Sequence, residues 1–314
     1  GGTIEKISGL FKGNLVSKNA VHTNYVDVAG AAIDNEGTIN EIYADFIENK
    51  IINEAKGASV NGGVIYNRTA KIGNIFGNFK NNSAISGGSV YGGVIYNWSD
   101  ASIGTINGNF LNNSATASSL VVGGNILNNG TIDSVVGNFL NNSTDSGDGI
   151  NGGVIYNSGT INSLQGKFNN NSSISGSWIN GAVISNAGTI GSISGIVSNN
   201  YSETGTYNFG SIFFNKGKIK NLNLSFLNNA SASASSYVGG TFVNYTGGEI
   251  ESIQGDFVGN FLDSATVSYG GAIFNSSNIK DISANFIHNI ANSKNEVSGG
   301  ALRNNGTIDR ITGN

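Results

Sequence analysis

The chain of 314 residues has no cysteine, no proline and no methionine, only two histidines, and charged residues at just 11%. Each shortage removes a class of explanation. Without cysteine no disulfide forms, and His22 and His288 leave few ligands for a zinc site. A net charge of −4 argues against nucleic acid as the main partner, because phosphate binding needs clustered Lys and Arg. No apolar run approaches the length of a helical membrane span, and long amphipathic helical stretches are missing. The chain has no initiating Met, signal peptide or targeting tail, which reads as a mature or excised segment. What it has in excess is Asn, 51 residues, and Gly, 47 residues. Its hydrophobic content of 38% is too high for a typical disordered chain.

One phrase recurs. GGVIYN starts at Gly62, Gly92 and Gly152, with variants at Gly123, Gly181, Gly210, Gly239, Gly270 and Gly299 and a weaker copy at Gly30. These ten starts are 29 to 32 residues apart. A second phrase follows each: Ile, an apolar residue three further on, Phe four after that, and Asn three after Phe. Ile103–Ile106–Phe110–Asn113 is one copy, and Val197 is the one replacement of Phe. The chain opens inside this phrase and stops short of its next Phe, so residues 1–314 are expected to be one segment cut within a repeat at both ends. Short runs alternate apolar with small or polar residues, which is strand periodicity, and Gly and Asn punctuate every run. A period of this length predicts an all-β parallel β-helix of about ten rungs. At roughly 4.8 Å per rung the rod would be roughly 48 Å long.

The position of Ile65 is large and apolar in every copy and is expected to face the core. The flanking columns are expected outward. One contains Tyr66, Tyr96, Leu127, Tyr156, Ser185, Phe214, Val243 and Phe274, and the other Val64, Val94, Val154, Val183 and Ile212. Two Asn columns have no exceptions. The first is Asn35, Asn67, Asn97, Asn128, Asn157, Asn186, Asn215, Asn244, Asn275 and Asn304; the second runs from Asn49 to Asn289. Amides stacked one rung apart can bond each other and the turn backbone, and Asn tolerates left-handed turns, so both columns read as structural ladders.

The alternation of GGA[ILV], as at Gly270–Ile273 and Gly299–Leu302, with FxxN, as at Phe79, Phe110 and Phe139, resembles the chlamydial polymorphic outer membrane proteins and related autotransporter passenger domains. The resemblance covers the whole chain. It implies a right-handed β-helix secreted to the bacterial cell surface, often as an adhesin, with an outer-membrane barrel elsewhere in the full-length chain. Most copies here carry another residue, often Val, where the family has Ala.

Enzymatic chemistry on such a scaffold needs clustered Asp, Arg or Lys in adjacent rungs. The acidic residues are scattered, neither His has an evident partner, and the calcium-binding GGxGxDx nonapeptide is absent. No catalytic residue, metal or cofactor is therefore expected. Three contact surfaces are candidates. The aromatic column Tyr66, Tyr96, Tyr156, Phe214 and Phe274 either forms an exposed strip or is covered by neighbouring loops. The nine-residue segment between Asn and Gly keeps its length but varies in sequence, and reads as a solvent-facing loop, with Trp178 in one copy. The longer turns bring Arg68, Trp98 and Asp100 into adjacent rungs as a possible protruding patch. The expected function is non-catalytic, multivalent contact with a protein or glycan on another cell or matrix. The alternative is a structural rod or self-associating filament, and a polysaccharide-acting enzyme ranks third. Register makes one further expectation: Lys220, Glu251, Lys280 and Asp309 should line up with alternating sign on the outer surface.

Overall fold

Short β-branched and aromatic runs punctuated by Gly and Asn give strands of two to ten residues, and the computed structural model shows how they stack. It describes residues 2–18, 27–234 and 237–313, so His22 lies outside the described residues. The architecture is an all-β parallel solenoid of about ten turns, with no helix among the described residues. One turn shows the plan. Ser102–Asn107 and Phe110–Leu111 lie in a long sheet, Ser114–Ala117 in a second, Leu120–Val122 in a third and Ile126–Asn128 in a fourth. The long sheet has 16 strands and each of the others has 10. Every strand pairs in parallel with its equivalent one repeat away, in the register the repeats demand: Ile103 with Ile132, Phe110 with Phe139, Val121 with Ile150, Asn128 with Asn157.

The interior has two compartments. The larger is filled by Ile and Phe from the long and fourth sheets. Its Phe rings stack face to face down the axis, Phe79 on Phe110 at 4.6 Å and Phe139 on Phe168 at 4.8 Å between centroids. Val197 interrupts the column. In the next two rungs, Phe213 and Phe242 replace the usual Ile and meet Phe226 edge-on at 6.3 and 6.1 Å. The smaller compartment is lined by Ala84, Ala115, Val90, Val121 and Ile179, and becomes polar further along, where Ser202, Asn208 and Ser231 bond one another.

Both Asn ladders form. In the first, each Nδ2 donates to the Oδ1 of the next rung at 2.8–2.9 Å, from Asn35 to Asn304. In the second, Asn113 is typical: its Nδ2 and its backbone N–H both donate to Asn142 Oδ1, and Nδ2 also donates to the carbonyl of Phe79. These bonds satisfy polar groups that the bends bury. The left-handed conformation falls one residue earlier than the ladder Asn. Gly13, Glu48, Asn81, Asn112, Asn141, Asn170, Asn199, Asn228, Gly259 and His288 all have φ between 51° and 67°. The ladder Asn points inward because its neighbour turns the chain.

Two expectations fail here. The nine-residue segment is no loop: residues 114–122, for example, are two strands with Ala115, Ala117 and Val121 buried. Its length is constant because a strand pair must match the rungs on either side, and its small polar residues line the narrow compartment. The Val64 column does not face outward either. Val64, Val94, Val154, Val183 and Ile212 belong to the large core. Gly62, Gly92 and Gly123 hold φ of 55° to 63°, and the bend that follows lets two consecutive residues, such as Val94 and Ile95, both face inward.

Candidate contact cleft

The Gly-Gly bend between the third and fourth sheets turns their outer faces toward each other. Tyr91, the last residue of one strand, comes within 6.4 Å of Tyr96 on the next, and Tyr269 within 6.0 Å of Phe274. The aromatic column is therefore roofed by the neighbouring strand and its side chains rather than exposed. Tyr66, Tyr96, Phe214 and Phe274 are buried and Tyr156 is half-buried. Burial raises the Tyr66, Tyr96 and Tyr156 phenols above their ordinary range; at Tyr66 the Arg68 guanidinium opposes the rise.

At one end of this corner the roof opens. Asp27, Ser59, Asn61, Tyr66, Arg68, Tyr91, Tyr96 and Trp98 line a cleft of about 530 Å³. Its parts come from separate phrases of the repeat, brought together by stacking. Trp98 follows the ladder residue Asn97, so the inward pull on the Asn amide throws the indole outward over the corner. The indole is 39% exposed and sits 5.3 Å from the Tyr96 ring and 6.2 Å from that of Tyr66. Arg68 follows Asn67 in the same way. Its guanidinium lies 4.5 Å over the Tyr66 ring and donates to both oxygens of Asp34, with Nε and Nη2 at 3.1 and 3.2 Å, while Glu36 is 3.8 Å away. Asp27 accepts from the Ser59 backbone N–H at 3.1 Å and from Asn61 Nδ2 at 3.5 Å.

Of the expected patch, then, the structure brings Arg68 and Trp98 together but not Asp100. That side chain is exposed in a separate depression with Glu36, Thr69 and Lys71, because the turn carries it past the corner toward the long sheet. Trp178 is also elsewhere. It stands half-buried on the third sheet, its indole flat over Gly149, where a Cβ would lie 2.2 Å from the ring. Sequence reasoning missed Asp27, Ser59, Asn61 and Tyr91. The parity of Tyr91, outward beside an inward Val90 and next to a Gly-Gly bend, is the signal that could have found it.

A second aromatic corner lies further along the rod, where Tyr245, the residue after Asn244, packs 5.5 Å from Phe214 and 6.2 Å from Phe209. At the far end Arg303 closes the corner, 3.4 Å over the Tyr269 ring and paired with Glu296 at 3.6 Å. The outer charge row is in the expected register, and its Glu251–Lys280 step closes at 3.9 Å beside an Asp281–Arg310 pair at 2.8 Å. Among the described residues no group of three His, Cys, Asp or Glu is placed to hold a metal ion.

The protein is thus a parallel β-solenoid stiffened by asparagine ladders, with an open aromatic cleft at a corner between sheets. Comparison with family models, with curated proteins and with solved structures finds no match to this chain.

Proposed function

We propose that this chain is a contact segment of a bacterial cell-surface adhesin of the autotransporter passenger type, secreted and displayed by an outer-membrane barrel elsewhere in the full-length protein. Its work is non-catalytic binding to a protein or glycan on another cell or in the matrix. The observation that carries this reading is the cleft itself: an exposed indole over stacked tyrosines, with a charged and polar rim, held on a rod whose turns are tied to one another. Rigid aromatic side chains give large contact area at low entropic cost. The repeat resemblance supplies the surface location. The test is attachment of the purified chain, displayed on beads, to host cells and to immobilised matrix. Saturable attachment that Trp98→Ala weakens supports the proposal, and attachment no better than that of bare beads rejects it.

Self-association into a filament has one observation in its favour. Tyr201, Phe261 and Ile290 share an outward column on the second sheet and are exposed. Sedimentation that changes with concentration, and stops changing in Phe261→Ser, would favour that alternative.

A further inference from the structure

The lining of the cleft restricts what it can hold. Charge comes first. The guanidinium in its lining, Arg68, is already forked onto Asp34 and lies 3.8 Å from Glu36, outside the cleft, while the Asp27 carboxylate lines the cleft itself. An anionic ligand would meet the Asp27 carboxylate and find no free cation among the described residues of the lining. For a cationic ligand, the position over the Tyr66 ring is already filled by that same guanidinium. These occupied positions favour an uncharged ligand.

Shape and polarity come next. Trp98 keeps part of its indole in solvent and is held by edge contact with Tyr66, at an interplanar angle of 73°. It is a fixed apolar plate. Beside the tyrosines and Arg68, the lining is polar: the Ser59 hydroxyl, the Asn61 amide and the Asp27 carboxylate, whose two oxygens offer more acceptor sites than the two bonds they accept among the described residues. A purely apolar ligand would bury these groups without partners. What matches is a molecule with one flat C–H face and a ring of hydroxyls that both donate and accept. The volume of about 530 Å³ lies within the range of small-ligand sites, roughly 300–1,000 Å³.

We infer that the Trp98 cleft is a binding site for a neutral saccharide. The sugar stacks its C–H face on the Trp98 indole, and its hydroxyls bond Asp27, Asn61 and Ser59. This names the ligand class of the site on which the adhesin reading rests.

The chain has two tryptophans, so Trp178→Phe leaves Trp98 as the only indole reporter. Two measurements use that variant: a printed array carrying neutral, sialylated and sulfated glycans, and fluorescence titration with chitotriose, cellotriose, maltotriose and lactose. The expected result is array binding to neutral glycans, with a saturable change in Trp98 emission for at least one of the four. In the natural chain, Trp98→Ala should weaken array binding by about tenfold or more, and Asp27→Ala several-fold, with far-UV circular dichroism unchanged. An array with no signal, or signal confined to anionic glycans, overturns the inference. So does neutral-glycan binding that survives Trp98→Ala. Cell attachment measured in parallel separates the two readings. Attachment lost in Trp98→Ala without any glycan binding leaves the contact role standing and removes the sugar. Glycan binding without attachment does the reverse.

Discussion

Asn128 donates from Nδ2 to the Oδ1 of Asn157 at 2.8 Å, and this one bond joins two turns 29 residues apart. The same Nδ2 reaches the carbonyls of Gly130 and Thr160, at 3.2 and 3.0 Å, while its own Oδ1 accepts from Asn97. All these side chains are buried. Asn128→Ala would strip partners from groups on both sides. The expected cost is about 1–3 kcal/mol for each buried group left unpaired. Asn138→Ala breaks a ladder too, one in which Asn138 donates to Asn109 Oδ1 at 2.9 Å, but at an exposed site. There the loss should stay within about 1 kcal/mol. Urea denaturation midpoints decide between them, and equal losses would mean that burial is not what gives the ladder its weight.

Phe139 is fully buried in the ring stack, whereas Tyr156 is only half-buried on the outer face of the fourth sheet. Phe139→Ala should cost about 3–5 kcal/mol, since neighbours held at the strand spacing cannot collapse into the cavity. Tyr156→Ala should cost clearly less, measured in the same denaturation series.

The left-handed column contains two residues that suit it poorly. Glu48 has φ 57° and His288 has φ 51°, at positions where Gly13, Gly259 and six Asn stand in other rungs. Both side chains are exposed, and Glu48 forms a 3.8 Å pair with Lys12. Glu48→Gly and His288→Gly should each raise stability, by about 1 kcal/mol, because glycine adopts this conformation without a Cβ penalty. Thermal midpoints lower than those of the natural chain would show that the column tolerates side chains freely.

Asn125 occupies the place held by Val94 and Val154 in adjacent rungs. It is buried, and among the described residues neither its Oδ1 nor its Nδ2 has a hydrogen-bond partner. Asn125→Val should stabilise the fold by about 1–3 kcal/mol, the penalty for leaving buried polar groups unpaired. A neutral or negative change in the denaturation midpoint would contradict this.

The phenols give the pH response. Tyr96 is raised above its ordinary 10.0 by burial first, then by Tyr66 and Tyr91. Tyr201 is pushed up to about 12 by burial and by its hydrogen bond to Glu203. Above pH 10 the unfolded chain loses these protons while the folded chain keeps them, so the unfolded state binds fewer protons and stability falls as pH rises. Their contribution is full below the unfolded value of 10 and drains away as pH climbs toward the folded values. Denaturation midpoints measured from about pH 8 to 11 should drop at the alkaline end, and Tyr96→Phe should flatten that drop.

Much of this could be read from the chain, for a physical reason. When a residue type recurs at every turn of a stacked coil, its copies must meet. That is why the register and the two amide ladders were visible in the spacing of Asn and Phe. Tyr66 and Val64 show where such reading ends. Strand alternation placed them both outside, but a left-handed Gly62 resets the alternation, sending Val64 into the core and turning Tyr66 into a corner that the next strand roofs. The serines and alanines of residues 114–122 looked like loop composition because the compartment they face is too narrow for larger side chains. The cleft was only half legible. Arg68 and Trp98 lie in adjacent rungs at one phase of the repeat, but Asp27, Asn61 and Tyr91 reach them from another face, across a bend that periodicity does not encode.

The strands run across the rod, so the bonds between rungs, backbone and ladder alike, point along it. Tension applied at the two ends would therefore load those bonds directly and not in shear. Rungs would peel one at a time from an end instead of giving way together. Each would release one repeat, 29 residues in the most regular stretch, or roughly 100 Å of extended chain. A tether of this kind lengthens in steps under load while its remaining turns, and whatever they hold, stay folded.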